Sequence, residues 1–390
     1  MSRTLYHIPF FLFGLLFYLV LPIFVVMSKI WEDYPGFDTL YSYYKDEYVI
    51  GYLVLVFFIG LAYLIGAWMP LQYIKKTPPV VPNQVIVNSR GLFTLSIPLL
   101  LYCQYVIFAN RELLFQGYAI DSDTPFRGIV ATINMYFLFL FLYNRLVSFS
   151  KRIDVLLILV LLELLVVALG VGTRMYAMVT IFSIMTYFLD RKIIPLRKVF
   201  LWMSVIILFI LAVGIWRLGD SNVTIEQLIY IGIAEPSFTW ISAISMYNLN
   251  ELPLFSIPYN FLSSFVNFMP SIFFPNKTEL IAGISLDYVA PLGATSFLLS
   301  LISNFGIVGG LFAVFFLGFL LSSVRLYWQT AFGQAYYYCV CGMIPFQLFR
   351  DDFAIVNKGF FSNFLLLPLL IILFYRILSA IATKSEERCS

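Results

Sequence analysis

The chain has 390 residues, of which 61% are hydrophobic and only 12% are charged, and its mean hydropathy is +0.91. A soluble domain carries about 25% charged residues, so this composition excludes a soluble globular protein. No long polar block interrupts the sequence, which predicts a single integral membrane domain over residues 1–390. The net charge of +3 says little about partners, and we expect no nucleic acid among them.

Apolar runs of membrane-spanning length recur along the whole chain. A spanning helix needs about 20 apolar residues, and the sequence predicts an all-α polytopic protein with about ten such helices. The predicted spans are Ile8–Met27, Val49–Met69, Leu92–Asn110, Ile129–Val147, Val155–Val171, Met175–Leu189, Phe200–Trp216, a run within Ser296–Ser323, Ala335–Phe349 and Phe360–Leu378. Two glycine-containing segments interrupt the run Ser296–Ser323, so we expect its first part to be an interfacial or tilted piece.

The distribution of basic residues predicts the orientation of these spans. Cytoplasmic loops carry an excess of Lys and Arg. With the N-terminus inside, most of the 24 basic residues fall on the inner side. We therefore expect both chain termini to be cytoplasmic.

One large loop, residues 217–295, then lies on the outer face. It contains two apolar, aromatic stretches, Leu228–Leu249 and Phe255–Phe274, which are interrupted or bounded by prolines. Such stretches are typical of short amphipathic helices at the interface, or of segments that fold back over a cavity. The alternative is that they form a pair of additional spanning helices, which would raise the total to twelve.

Three arginines stand at the ends of predicted spans on this outer side, where basic residues are normally scarce. Arg174 follows Gly170 and Gly172 in a tight turn between two helices. A helix N-terminus beside an arginine is a good site for a phosphate group. The alternative for Arg174 is an interfacial arginine whose charged head extends to water.

Arg217 ends the seventh predicted span and is followed closely by Asp220. Arg217 could bind an anion while Asp220 orients a substrate or acts as a base. A local Arg–Asp pair at a helix end, which contributes little on an exposed surface, is the alternative.

Arg350 is followed directly by Asp351 and Asp352. We expect the arginine to face a cavity, held by one of the carboxylates; capping of two helix ends is the alternative. Adjacent carboxylates point apart on a helix, so this pair gives only weak support for a divalent metal site, and we predict no metal site.

Other ionisable residues give weaker signals. The helix count puts Glu163 in the middle of the membrane, where a carboxylate has either a functional role or a protonated structural one. Lys277 is an outer-loop charge, and such charges are more often solvated. The single histidine, His7, leaves little room for histidine-based acid–base or metal chemistry.

Taken together, these features resemble the O-antigen polymerase (Wzy-type oligosaccharide repeat-unit polymerase) family of bacterial inner membranes. The resemblance extends over most of the chain in layout, although its motifs are short. The features that carry it are Gly172-Thr173-Arg174 at the start of a helix, the large outer loop after the seventh span, Gly293–Phe297, Asn304–Gly310 and Phe349-Arg350 near the end of a late helix.

The resemblance implies a membrane glycosyltransferase of the GT-C type whose active site faces the periplasm. Donor and acceptor would be oligosaccharide repeat units on undecaprenyl pyrophosphate, and the growing chain would move onto the incoming unit. Arg174, Arg350 and Arg217 would bind the pyrophosphate without a metal or other cofactor, since preorganised cations stabilise the developing negative charge. Asp220 would be the base. A chain-length regulator is a further possible partner.

Two other functions compete with this one. An O-antigen ligase shares the architecture, but such ligases typically use an outer-loop histidine, which this chain lacks. A lipid-linked oligosaccharide flippase or other transporter should show repeated halves and charges along a central path, and the sequence shows neither.

Overall fold

The computed structural model describes residues 4–29, 37–74, 87–115, 125–147, 150–172, 174–217, 224–270 and 274–389. Within these ranges the regular structure is entirely helical. The helices are α1 (His7–Ser28, with a π-helical turn at Leu16–Val20), α2 (Phe37–Tyr43), α3 (Asp46–Ile74), α4 (Ser89–Ala109), α5 (Pro125–Val147), α6 (Lys151–Gly170), α7 (Arg174–Asp190), α8 (Leu196–Arg217), α9 (Ile225–Leu249), α10 (Tyr259–Ser263), α11 (Lys277–Leu280), α12 (Phe297–Tyr327), α13 (Ala331–Met343), α14 (Gln347–Arg350), α15 (Phe353–Asn357) and α16 (Leu367–Cys389, after a π-helix at Lys358–Leu366).

Eight helices among the described residues are long and apolar enough to cross a membrane. Seven of them coincide with predicted spans, which confirms a polytopic helical membrane protein. The eighth is Leu228–Leu249, within α9. Two predicted spans, Met175–Leu189 and Ala335–Phe349, correspond to shorter helices: α7 has 17 residues and α13 has 13.

Helix α9 corrects the expectation for the first half of the large loop. The sequence predicts short amphipathic pieces broken at Pro236, but the helix runs through this proline without a break. A proline inside a span is tolerated when nearby groups satisfy the backbone carbonyl that it leaves without a donor. The described part of the second stretch, residues 255–270 and 274, contains only short helices, so the two stretches do not form a pair of spans. The cytoplasmic position of both termini stays a prediction.

The described chain divides into two compact units, each built from separate stretches of sequence. The first unit contains Met1–Pro79, Lys192–Tyr327 and Met343–Lys358; the second contains Val80–Arg191, Trp328–Gly342 and Gly359–Ser390.

The centre of the first unit is the close packing of α3 against α12. Gly66 lies directly against the backbone of Phe315, and a Cβ on Gly318 would stand 2.5 Å from the Tyr63 carbonyl oxygen. Small residues at such positions allow helix backbones to approach closely in a membrane. His7 fastens α1 to the same pair, because its ring nitrogens lie 3.0 Å from the Tyr63 hydroxyl and 3.1 Å from the Ser322 hydroxyl. The single histidine is therefore a buried structural residue.

Helix α12 is two helices joined at a sharp reversal. Gly306 has φ 73° and ψ −177°, a conformation essentially restricted to glycine. The Leu301 side chain lies beside Gly310, which a straight helix would hold far from it. The expected interfacial piece at the start of this run is thus a half-helix, residues 297–305, that folds back on the segment after Gly306.

The second unit is held together by polar contacts between apolar helices. Asn134 on α5 donates to the Thr180 hydroxyl on α7 at 2.9 Å, and Ser96 on α4 pairs with the Tyr136 hydroxyl on α5. Gly342 on α13 likewise allows two helices to approach closely, because it lies against Ser183 of α7. Hydrogen bonds of this kind join helices where no water competes for the polar groups.

Candidate functional site

Arg350 ends the short helix α14, which is seated on α1 by the preceding phenylalanine. Phe349 is fully buried, and its ring centroid lies 5.2 Å from that of Phe11 and 6.3 Å from that of Tyr18. A Cβ on Gly14 would collide with the Phe349 ring, so the glycine allows this approach. The apolar anchor fixes where the next residue, Arg350, can reach.

The guanidinium of Arg350 is shared between two carboxylates of the first unit. Its Nε lies 3.0 Å from Oε1 of Glu235 on α9, and its Nη1 lies 3.6 Å from Oδ1 of Asp351. The buried Tyr18 hydroxyl is a hydrogen-bond partner of Glu235 as well. The Arg350 and Glu235 side chains keep 35% and 30% of their surface exposed, so solvent can reach the pair.

This cluster lies deeper than the sequence predicts. Tyr18 is near the middle of the 22-residue helix α1, about 15 Å from either end at 1.5 Å per residue. Glu235 lies inside the span Leu228–Leu249, nearer its start. The sequence places Arg350 on the outer surface beyond the helix ends; in the structure its guanidinium pairs with a carboxylate within a span. Ionisable groups at this depth are costly and are commonly functional.

Asp351 and Asp352 occupy the break between α14 and α15, where their side chains are largely withdrawn from solvent. Burial raises the pKa of Asp351, and Glu235 and Asp352 act in the same direction, while Arg350 and a hydrogen bond from Gln347 oppose them. Burial also raises the pKa of Asp352, against a hydrogen bond from Asn260. Both carboxyls therefore hold a proton at higher pH than an exposed aspartate does.

A polar network links this break to the loop between α9 and α12. Asn260 at the start of α10 donates to Oδ2 of Asp352 at 3.4 Å and to the Ala282 carbonyl at 2.7 Å. Asn267 donates to the Ala354 carbonyl, and Asn357 donates to the Ser264 hydroxyl, both at 2.8 Å. The aspartates thus lie at the boundary between the spanning helices and this loop.

The charge balance of the cluster changes the expected role of Arg350. One guanidinium faces the carboxylates of Glu235 and Asp351, and Asp352 adds a third acidic group nearby. An arginine neutralised in this way attracts a further anion weakly. The geometry therefore favours a role for Arg350 in positioning carboxylates. It argues against the predicted role as a pyrophosphate ligand.

Arg174 belongs to the second unit and begins α7, as the sequence predicts. Gly172 in the preceding turn has φ 86°, which explains one glycine of the motif. Gly170 has a packing role, because a Cβ there would stand 3.0 Å from the ring of Phe115, whose backbone N–H donates to the Gly170 carbonyl at 2.9 Å. The glycines thus shape the turn itself. Arg174 is half-buried, which is compatible with either role considered for it.

The other predicted catalytic residues are less closely defined. Arg217 is the last residue of α8, and this placement concerns its backbone alone. Asp220 lies outside the described residues. Glu163 is exposed on the outward face of α6.

The described ranges contain no group of three or more His, Cys, Asp or Glu side chains arranged to hold a metal ion. Sequence reasoning missed Glu235, because nothing near it in the chain marks it; its signal is a lone carboxylate within an apolar run. It also missed the burial of Lys277, which is only 9% exposed. No protein-family model matches the sequence, and no match was found among curated proteins or among solved structures.

Proposed function

We propose that this protein is a membrane glycosyltransferase of GT-C type that polymerises lipid-linked oligosaccharide repeat units. In this proposal it lies in the inner membrane of a bacterium, with its active site facing the periplasm. The growing chain passes from one undecaprenyl pyrophosphate carrier to the non-reducing end of the next unit, and the freed carrier leaves. A chain-length regulator would act on the same polymer.

The observation that carries the proposal is the pair of carboxyls, largely withdrawn from solvent, at the α14–α15 break. Transfer requires an acceptor hydroxyl to attack the anomeric carbon of the donor chain. The bond from that carbon to the pyrophosphate oxygen breaks, and the hydroxyl proton must go to a base. A general base works best when its pKa approaches the working pH, and burial raises the pKa of Asp351 in that direction.

Asp351 is our first choice for the base among the described residues, and Asp220 remains the candidate from sequence. Asp351 lies at the edge of the loop that would cover the sugars, and Arg350 holds it 3.6 Å away, Nη1 to Oδ1. Arg350 and Glu235 are then positioning residues. Arg174 and Arg217 keep the role of pyrophosphate ligands on the strength of the family resemblance alone.

A proton-coupled transporter of lipid-linked sugars is the second candidate, and one observation favours it. The Arg350–Glu235 pair places charges within the span Leu228–Leu249, and two apolar segments of the same unit are interrupted, one by the reversal at Gly306 and one by the break at Asp351. Transporters commonly place ionisable groups at broken helices near the middle of the membrane. No specific feature of the described residues favours a ligase.

Reconstitution separates the two candidates. Purified protein in lipid vesicles is supplied with lipid-linked repeat units in the outer leaflet only, and the products are separated by length and assayed for the leaflet that they occupy. The proposal expects lipid-linked chains longer than one unit, with release of undecaprenyl pyrophosphate, and loss of both with Asp351→Asn. Movement of intact units across the vesicle membrane without elongation would instead identify a transporter.

A further inference from the structure

A second charged cluster lies in the first unit, apart from the Arg350 guanidinium. Lys277 begins α11 and is 9% exposed, although the sequence predicts a solvated loop charge there. Its ammonium donates to the Met269 carbonyl at 3.1 Å. Burial lowers the pKa of Lys277, so the folded chain holds this positive charge at a cost.

Lys358 directly follows α15, is half-buried and approaches Lys277. The approach follows from the fold, because α11 and α15 both pack against the short helix Ser264–Phe268. Asn357, next to Lys358, is fixed to Ser264 in that helix at 2.8 Å.

Neither lysine has a compensating acid among the residues that the structure describes. Among the described residues, the ion pairs of the first unit use Glu235, Asp351 and Arg350, and neither lysine pairs with a carboxylate. Two like charges held together and partly withdrawn from water repel each other, and burial without a partner adds to the penalty. A bound anion removes both costs at once.

We propose that Lys277 and Lys358 form a binding site for a phosphate or pyrophosphate group. Phosphate oxygens accept several charge-assisted hydrogen bonds, and lysine is a common point-charge ligand for them. Asn267 and Ser264 lie in the short helix against which α11 and α15 both pack, so polar side chains stand near the lysines. Lys277 lies in the loop between α9 and α12, and Lys358 lies near the start of the apolar segment Phe353–Ile381, so the site stands where a spanning segment begins.

The inference concerns binding and stands whether or not the protein is a glycosyltransferase. It is tested on the full-length protein in detergent by thermal unfolding at rising concentrations of inorganic pyrophosphate. A ligand that binds the folded state raises the unfolding midpoint with concentration. We expect a saturable rise for the wild type. Lys277→Gln and Lys358→Gln should each weaken the apparent affinity about ten-fold or more, the factor for one lost charge-assisted hydrogen bond.

Two control variants separate loss of the site from a non-specific charge effect and from loss of folding. Lys45→Gln removes an exposed lysine of the same unit and should leave the response unchanged. Lys358→Arg keeps the charge and should retain most of the binding, even if a neutral variant proves unstable. Equal responses of the wild type and both glutamine variants, or no saturable response to any phosphate, would overturn the proposal.

A second arm identifies the source of the phosphate. The same proteins are placed in nanodiscs of neutral lipid with and without a polyprenyl pyrophosphate. Stabilisation by the polyprenyl lipid that depends on both lysines supports the proposal and assigns the site to a lipid headgroup. Stabilisation by inorganic pyrophosphate alone supports it with a soluble ligand.

Discussion

The guanidinium Nε of Arg350 lies 3.0 Å from the Glu235 carboxylate, which joins the end of a short helix to a spanning one. Asp351 stands on the other side of the same guanidinium. One cation thus orders two acids, and a third acid, Asp352, follows in the chain. An arrangement with more acids than bases suits proton transfer better than anion binding, and this is why we assign the base to the cluster and place the phosphate ligands elsewhere.

Replacing Asp351 with asparagine should separate activity from stability. The loss of a general base lowers rates by about two to four orders of magnitude, so we expect polymer formation to fall to a trace. The folded protein should remain, because asparagine keeps the shape of the side chain and removes a buried charge. Polymer yield and the amount of membrane-inserted protein are measured together, with Asp287→Asn at an exposed position as the control.

The same variant gives a pH signature. Burial raises the pKa of Asp351 above its unfolded value, so the folded state binds this proton more tightly. The resulting stability is complete below the unfolded pKa and is lost as the pH rises through the folded pKa. Asp351→Asn lacks this dependence. As the pH rises from the acidic range, the unfolding midpoint of the variant should therefore increase relative to that of the wild type. A difference that is constant with pH would contradict the raised pKa.

Arg350→Ala should abolish activity and cost stability on the order of 1 kcal/mol, since the exposed part of the pair is screened by solvent. The cost comes from leaving the carboxylates of Glu235 and Asp351 without their cation. Adding Glu235→Gln to Arg350→Ala should restore stability but not polymer. Restored polymer in the double variant would show that Arg350 has no role in positioning the base.

Arg174→Ala should abolish polymer while the protein still inserts and accumulates, because the proposed role of this arginine is to bind the pyrophosphate. The control is Arg111→Ala, an exposed arginine in the same unit. Surface polymer and membrane-inserted protein are quantified together for each variant. Normal polymer from Arg174→Ala would remove this residue from the site and leave the interfacial role.

Gly306→Ala should impair folding. A Cβ at this position would stand 2.7 Å from backbone atoms of Leu254 and Phe255, and the φ of 73° is itself unfavourable for alanine. The conformational strain alone is about 1–3 kcal/mol. Gly283→Ala is a matched control, since its Cβ would meet nothing within 4 Å. Comparable accumulation of the two variants in membranes would show that the helix reversal is not required.

Activity should survive chelation of divalent ions by EDTA, because the proposed mechanism assigns the phosphate charges to lysine and arginine side chains. The assay compares polymer formation by the reconstituted protein before and after chelation. Loss of activity that added metal restores would revive Asp351 and Asp352 as metal ligands.

The sequence predicts the structural features that depend on neighbouring residues in the chain. Long apolar runs predict most of the spanning helices, and the glycines before Arg174 predict where α7 begins. Continuity of α9 through Pro236 could not be predicted in this way, because it depends on how neighbouring groups satisfy the backbone. The Arg350–Glu235 pair and the burial of Lys277 arise from contacts between segments distant in sequence. Composition and periodicity do not predict such contacts.

The measurement that tests the central claim most directly is the surface glycan of a deletion strain, resolved by length on a gel. If the protein is the polymerase, long chains disappear and core capped with a single repeat unit remains, since units are still made, moved across the membrane and ligated. The wild-type gene restores the ladder and Asp351→Asn does not. A bare core in the deletion strain would place the protein in transport or ligation and contradict the account.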